Sequence, residues 1–249
     1  MNRLWAWLLD LLFPPKCVFC RALLDDGEHD LCRHCRQTLP WLSGPAARQQ
    51  LEFLTLAVSP LRYEETVRAS FHRYKFYGQR SYAGAYGRLM AQCVQEHFPS
   101  QCELVTWAPL SPRRKRERGY DQAQLLAQIV AQELDLPLCS TLEKTRHTAP
   151  QSGLSEEKAR RANAQGAYRC TDPPKVQDRR VLLVDDIITT GSTASECAHM
   201  LRAAGAKEVF CVTLARAHGE RCENLVKNTV EMEQEYLYNE KKSILGDKP

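Results

Sequence analysis

The chain has 249 residues, 43% hydrophobic and 26% charged, with a formal net charge of +4. That is an ordinary soluble globular composition, long enough for one sizeable core and a small accessory module. A charge this mild does not by itself argue for nucleic-acid binding. The 11 cysteines are odd in number, with four paired at short spacing and the rest scattered. That pattern excludes a secreted disulfide framework and points to a reducing cytoplasm with one metal site.

In chain order, the opening MNRLWAWLLDLLFPPKC carries a short apolar run broken by Asp10, with a single Arg before it and no small-residue cleavage site. It does not fit a signal peptide, and it is too short to span a bilayer. It reads as an amphipathic helix ending at Pro14-Pro15 that packs on its own protein or a partner. Cys17-x-x-Cys20 and Cys32-x-x-Cys35 follow, separated by eleven residues. Two such knuckles let four thiolates converge tetrahedrally on one structural Zn²⁺. A redox pair or four buried thiols are the alternatives. Residues 1–45 have little core of their own, so metal affinity would supply their folding free energy.

A linker of Pro40 to Gln50 leads to a strand at Leu54–Val58 and a helix at Arg62–Tyr74 with Val67, Phe71 and Tyr74 on one stripe. A second helix is predicted at Tyr82–His97, then a strand at Leu104–Ala108 and a loop from Pro109. Asp121 with Gln124 makes a capping box for a helix running to Leu134. Residues 140–167 are polar without clear period, the profile of a lid. Strands are predicted again at Val181–Val184 and Val209–Ala215, around a helix Thr193–Ala204 stopped by Gly205. Strands alternating with helices predict a parallel, doubly wound α/β sheet over residues 50–217. The polar tail 218–249 reads as a disordered extension.

The richest stretch is VLLVDDIITTGST at Val181–Thr193. Its apolar run suits a strand buried on both faces. Asp185 and Asp186 stand at its C-terminal end, where open α/β sheets bind ligands, and carboxylates there accept hydrogen bonds from vicinal ribose hydroxyls. Thr189, Thr190, Gly191, Ser192 and Thr193 can aim amides and hydroxyls at a phosphate, helped by a helix dipole. Gly191 permits close backbone approach. Thr193 with Glu196 reads as a capping box. An ordinary turn has no need of both an acid pair and a hydroxyl-rich loop.

With these residues the chain resembles a type I phosphoribosyltransferase, whose signature binds 5-phosphoribosyl-1-pyrophosphate (PRPP). More narrowly it resembles the ComF family, associated with competence and DNA utilisation. The cysteine quartet, RYKFYG at Arg73–Gly78, RERGYDQA at Arg116–Ala123 and QSGLSEEKARRANAQGAY at Gln151–Tyr168 carry that likeness, from about Cys17 to Arg216. Tyr120 and Asp121 stand where the family pattern has Phe and Asn, and beyond Ala217 the likeness stops. The resemblance implies that Asp185 and Asp186 hold the ribose, that Thr189–Thr193 cradle the 5-phosphate, and that the loop Pro109, Leu110, Ser111 meets the pyrophosphate. It also implies Mg²⁺ bound with PRPP, an unidentified acceptor, and DNA-uptake proteins as partners.

Arg113-Arg114-Lys115-Arg116-Glu117-Arg118 is the densest charge run. It is a solvated loop, or it neutralises pyrophosphate through Arg113, Arg116 and Arg118, or it grips single-stranded DNA with Trp107 and Tyr120 as stacking partners. Lys144, Arg146, Lys158, Arg160 and Arg161 are the lid's cations. Three functions remain open from sequence: a phosphoribosyltransferase, a PRPP or nucleotide sensor without turnover, and a single-stranded DNA adaptor.

Overall fold

The computed structural model describes residues 14–145 and 166–217. The expected N-terminal helix, the lid cations Arg146, Lys158, Arg160 and Arg161, and the tail lie outside the described residues. A short helix α1 (Arg33–Thr38) closes the cysteine module, and a 3-10 turn (Gly44–Ala47) leads to β1 (Arg48–Gln49), β2 (Leu56–Val58) and β3 (Leu61–Arg62). Helices α2 (Glu65–Phe76) and α3 (Tyr82–His97) carry the chain to β4 (Leu104–Trp107). Then come α4 (Pro112–Arg118), α5 (Gln122–Glu133), the antiparallel pair β5 (Leu142–Lys144) and β6 (Tyr168–Cys170), the single turn α6 (Pro173–Val176), β7 (Arg180–Ile188), α7 (Ser192–Ala203) and β8 (Glu208–Arg216).

The main sheet runs β1-β2-β8-β7-β4, with β3 beside β8 further along. All its pairings are parallel except the edge strand β1. Leu138 extends the far edge by a parallel bridge to Val105. The chain therefore reaches the outer edge first and returns to fill the middle with β7 and β8. Along β7, Leu182 and Val184 join the core beneath α3 and α5, whereas Val181 and Leu183 join the core beneath α7. Both faces are covered, which is why this strand reads as an unbroken apolar run. The helix following β4 lies on one face and the helix following β7 on the other. These two neighbouring strands thus flank the topological switch point, where crevices of such sheets form.

Two differences from the sequence reading have local causes. Helix α2 starts at Glu65 rather than Arg62, because Leu61 and Arg62 pair with Ala215 and Arg216. The basic run is a helix rather than a loop: the Ser111 hydroxyl accepts from the Arg114 N–H at 3.4 Å, Pro112 opens the first turn, and Gly119 stops it.

Helices α3 and α5 approach so closely at Gly87 that a Cβ there would lie 2.4 Å from Ile129 Cβ. Alanine would gain up to about 1 kcal/mol of helix propensity, but overpacking costs about 1–3 kcal/mol. The obstructing atom sits at the root of Ile129, so it cannot swing aside. Gly87→Ala is expected to lower the urea midpoint, and Gly87→Ala with Ile129→Val to recover none of the loss, because valine keeps the obstructing Cβ and Cγ atoms.

Candidate functional site

The crevice begins with a step in the sheet. Strand β4 stops at Trp107, opposite Val184, and the Ala108 N–H makes a last bond to the Val184 carbonyl at 3.0 Å. Strands β7 and β8 stay paired as far as Ile188 and Arg216. From Asp185 onward, β7 has no strand on its β4 side among the described residues. The acids therefore belong to the strand, which runs four residues past its expected end at Val184, to Ile188. Neighbouring residues of a strand face opposite sides. Asp185 acts on Cys197 and Cys211 at the α7 face, whereas Asp186 acts on Tyr74 and Asp121 at the face of α2 and α5. The pair straddles the sheet rather than forming one flat acidic edge.

Each carboxylate is partly engaged by backbone. The Asp186 N–H donates to Asp185 Oδ1 at 2.8 Å, and the Ile187 N–H to Asp186 Oδ1 at 2.6 Å. Burial, followed by repulsion from Asp186, holds the Asp185 carboxyl well above the usual carboxylate range; the Asp186 N–H and Lys144 oppose this.

Thr189 to Thr193 turn tightly into α7, half-buried apart from Gly191. The Thr190 and Ser192 hydroxyls lie 2.8 Å apart, and the Ser192 N–H points to Thr190 Oγ1 at 3.4 Å. The expected Thr193–Glu196 capping box is not formed. Gly191 is the N-cap, at φ 78°, and its carbonyl accepts from the Ser195 N–H at 2.8 Å. Glu196 Oε1 instead accepts from the Gly166 N–H at 2.7 Å. The absent Cβ at Gly191 makes room for the chain itself, since it would meet Leu51 Cδ2 at 2.5 Å.

Across the step, Asp121 anchors the loop that leaves β4. Its Oδ2 accepts from the Leu110 N–H at 3.0 Å, while Oδ1 caps α5 through the Gln124 N–H at 3.2 Å. The cap was legible in sequence; the tie to the loop was not. Pro109 and Leu110 are half-buried and Ser111 is buried. In α4, Arg113 pairs with Glu117 at 2.7 Å, and Arg118 donates to Gln122 Oε1 at 3.2 Å with its guanidinium 5.3 Å from the Phe76 ring centre. Arg116 is exposed. Trp107 and Tyr120 are buried at 9% and 8% exposure, so neither is open to stack a base, which was one of the alternatives for the basic run. Tyr120 instead donates to the Tyr74 carbonyl, and Tyr74 donates to the Gln122 carbonyl at 3.0 Å, forming an aromatic wall behind Asp186.

In the N-terminal module the sulfurs of Cys17, Cys20, Cys32 and Cys35 all lie within 4.8 Å of one another. A tetrahedral ZnS₄ centre with bonds near 2.3 Å needs sulfurs about 3.8 Å apart, so the quartet fits. Burial and the neighbouring thiols push the Cys35 thiol up, a penalty that a divalent cation bound to thiolates removes. His29 and His34 are exposed outside it. The module docks through buried Phe19, 5.7 Å from the Tyr86 ring, through Arg73 to the Phe19 carbonyl at 2.5 Å, and through a forked Arg88–Asp30 pair at 2.8 and 2.7 Å.

The model of the phosphoribosyl transferase domain matches residues 121–239, and that of the double zinc ribbon domain matches residues 8–49. Competence protein F of Haemophilus influenzae is 31% identical over 224 residues, spanning 81% of this chain and 97% of that protein. The chain belongs to the ComF family. DNA utilization protein YhgH of Escherichia coli K12 is 29% identical over 225 residues, spanning 81% of this chain and 98% of that protein. Competence protein ComFC of Streptococcus pneumoniae is 28% identical over 155 residues, spanning 62% of this chain and 65% of that protein. The ComF chain thus joins a phosphoribosyltransferase-type, mostly parallel sheet to an N-terminal zinc ribbon. The domain match passes Ala217, where the likeness in motifs was expected to stop. Among the described residues, no helix is long and apolar enough to cross a membrane.

Replacing one thiolate leaves three ligands and an open coordination position. Cys17→Ser is expected to lower zinc content from about one ion per chain toward zero by elemental analysis, and to expose the module to limited proteolysis.

Proposed function

We propose that this ComF protein binds PRPP at the step between β4 and β7 and transfers its phosphoribosyl group to a nitrogen of a base or amine, in the service of DNA uptake or utilisation. The observation that carries the reading is the convergence, at one switch point, of half-buried Asp185 and Asp186 with the hydroxyl-rich turn Thr189–Thr193 and the loop Pro109–Ser111. Asp185 and Asp186 accept the ribose hydroxyls. Thr189, Thr190, Ser192 and Thr193, with the first amides of α7, take the 5-phosphate.

The reaction then needs little covalent chemistry from the protein. An acceptor nitrogen attacks C1, the C1–O bond breaks, its electron pair leaves with pyrophosphate, and the nitrogen loses a proton to water. Positioning and the carboxylates beside the cationic ring lower the barrier. The oxygen donors lining the step suit a hard cation; Mg²⁺ bound there, held by the diphosphate, water and Asp185 or Asp186, would neutralise the leaving group. Radiolabelled PRPP with Mg²⁺ and a panel of bases tests turnover by release of pyrophosphate. Binding without release across the panel would favour a sensor.

Two predictions follow from the acid pair. Asp185→Asn or Asp186→Asn removes a charge-assisted bond worth about 1.5–3 kcal/mol, so calorimetry should show PRPP binding weakened roughly 10- to 100-fold with the melting curve retained. The sign of the pH dependence follows from the raised Asp185 pKa. Its ionised form is the stronger acceptor, so affinity should climb as pH rises above the ordinary carboxylate range, and the climb should flatten in Asp185→Asn. Without ligand the same shift works the other way: the fold binds this proton more tightly than the unfolded chain, so stability falls over that interval.

A second reading, a single-stranded DNA adaptor, draws support from a separate cavity. It is about 770 Å³, lined by Arg21 of the zinc ribbon with Arg68, Arg73, His72, Tyr77 and Tyr82, and Tyr77 is 59% exposed. Guanidinium groups beside flat rings suit a stacked, phosphate-bearing strand. If the adaptor reading holds, oligonucleotide affinity should fall steeply with salt and weaken about tenfold or more in Arg21→Ala with Arg68→Ala; an unchanged affinity sinks it.

A further inference from the structure

The hydroxyl-rich turn has little of its own to hold its shape. At its apex Gly191 stands in the left-handed region, at φ 78°, and caps α7 without a side-chain hydrogen bond. Glycine has the freest backbone of any residue. Within the turn, the Thr190 and Ser192 hydroxyls bond each other at 2.8 Å, and the Ser192 N–H reaches Thr190 Oγ1 only at 3.4 Å. A phosphate site made of amides binds best when those amides already converge before the anion arrives. Rigidity must therefore come from outside the turn.

Leu51 stands directly behind it. A Cβ on Gly191 would lie 2.5 Å from Leu51 Cδ2, 2.9 Å from Cδ1 and 3.3 Å from Cγ. These are its nearest neighbours, so one isopropyl group fills the space behind the apex. Leu51 is half-buried and packs on the core beneath α7. Its segment is clipped to that same helix further along. The Leu51 carbonyl accepts from the Leu54 N–H at 3.2 Å. Arg202 donates to the Phe53 carbonyl at 3.4 Å and to Thr55 Oγ1 at 3.0 Å, and the Phe53 ring stacks on His199 at 4.5 Å. Phe53 takes φ 65°, a left-handed conformation unfavourable for a bulky side chain, yet it stays 49% exposed. Backbone strain that gains so little burial clusters at functional sites. Here it turns the segment so that Leu51 meets the head of α7 while Phe53 and Thr55 are held lower on the helix.

We propose that Leu51 is a positioning residue for the 5-phosphate: its side chain wedges against Gly191 and holds the amides and hydroxyls of the turn in one receptive arrangement. The identity of the anion rests on the phosphoribosyl reading. Leu51 carries no charge and acts through the turn. Glycine at 191 then serves two ends, since it accepts φ 78° and its missing Cβ is the slot that the leucine fills. The segment Leu51–Leu54, which precedes β2 at the edge of the sheet, becomes the back wall of the phosphate site.

The test uses the full chain with its zinc, and ribose 5-phosphate as the probe in calorimetry. Leu51→Ala should weaken binding about tenfold, because the anion must then order the turn itself. Leu51→Met, which restores the volume, should keep most of the affinity. Gly191→Ala should also bind weakly, since the new methyl group collides with the leucine. In Gly191→Ala with Leu51→Ala the three colliding atoms are gone, so the double variant should lose less than the product of the two single losses. Gly87→Ala controls for lost stability: its defect lies between α3 and α5, and it should keep ribose 5-phosphate affinity within about twofold. Leu51→Ala binding as tightly as the wild type, Leu51→Met as weak as Leu51→Ala, or single losses that simply multiply would each overturn the wedge. An equal loss in Gly87→Ala would overturn it too, by assigning the effect to stability. Wild-type protein that does not bind ribose 5-phosphate overturns the phosphoribosyl reading, and the positioning role with it. Binding by the wild type with indifferent Leu51 variants overturns the positioning role alone.

Discussion

Everything at the crevice follows from one structural constraint, the early departure of β4. A strand covered on both faces and both edges is no place for two adjacent carboxylates, because ionised oxygens there lose water and gain nothing in return. By leaving after Trp107, β4 uncovers the flank of β7 from Asp185 onward while β8 continues to hold its other edge. The backbone thus stays rigid where the side chains must be reachable. What keeps β4 from continuing is Asp121, which captures the Leu110 amide and the first turn of α5 with its two oxygens. Burial, the largest influence, raises the Asp121 pKa while those two amides oppose it.

Much of this was legible because it is local. The run Val181–Val184 announces a doubly covered strand by its lack of alternation, and α3 appears at Tyr82–His97 as its apolar stripe predicts. The cysteine spacing converges as two knuckles should. What escaped depends on groups distant in sequence. The strand runs past its acids because Thr213 and Ala215 of β8 offer it partners. The side-chain cap of α7 is replaced by left-handed Gly191, whose missing Cβ accommodates Leu51, 140 positions earlier by the sequence numbering. Trp107 and Tyr120 look like stacking platforms in a basic stretch, but both are turned into the core. Lys144 was legible as a cation near a lid; that it turns inward onto Tyr168 is a fact about β5 and β6 paired together, and no local window holds it.

The zinc ribbon belongs to the same argument through packing. Cys17, Val18, Phe19, Leu31, Cys32, Cys35 and Leu39 lie in one continuous core with Phe71, Tyr74 and Tyr86. Burying a side chain such as Phe19 is worth about 1.5–3 kcal/mol, and that gain exists only while metal holds the knuckle in shape. Tyr74 occupies the middle of the chain of contacts: its ring meets Tyr86 on the ribbon side at 5.5 Å and Tyr120 on the crevice side at 6.2 Å. The ribbon's metal is thus structural in a wider sense than closing its own loop, since it backs the wall on which Asp186 rests.

Charge distribution gives the last step. Along β7 and α5 the crevice gathers Asp185, Asp186 and Asp121; burial and then the neighbouring acids raise the cost of ionising Asp185 and Asp121. Lys144 at the end of β5 turns inward onto Tyr168, and its charge partly offsets the rise at Asp185. Neither group is placed to neutralise the other by direct pairing among the described residues. A fold selected for stability alone would have brought one acid against Lys144 or replaced the lysine with an apolar side chain. Keeping both signs apart costs free energy in the folded chain, a cost that the phosphoribosyl ligand proposed above would offset with hydroxyl donors at one end and anionic oxygens at the other. Preorganised separation of that kind is the mark of a site built for binding rather than of a core built for stability.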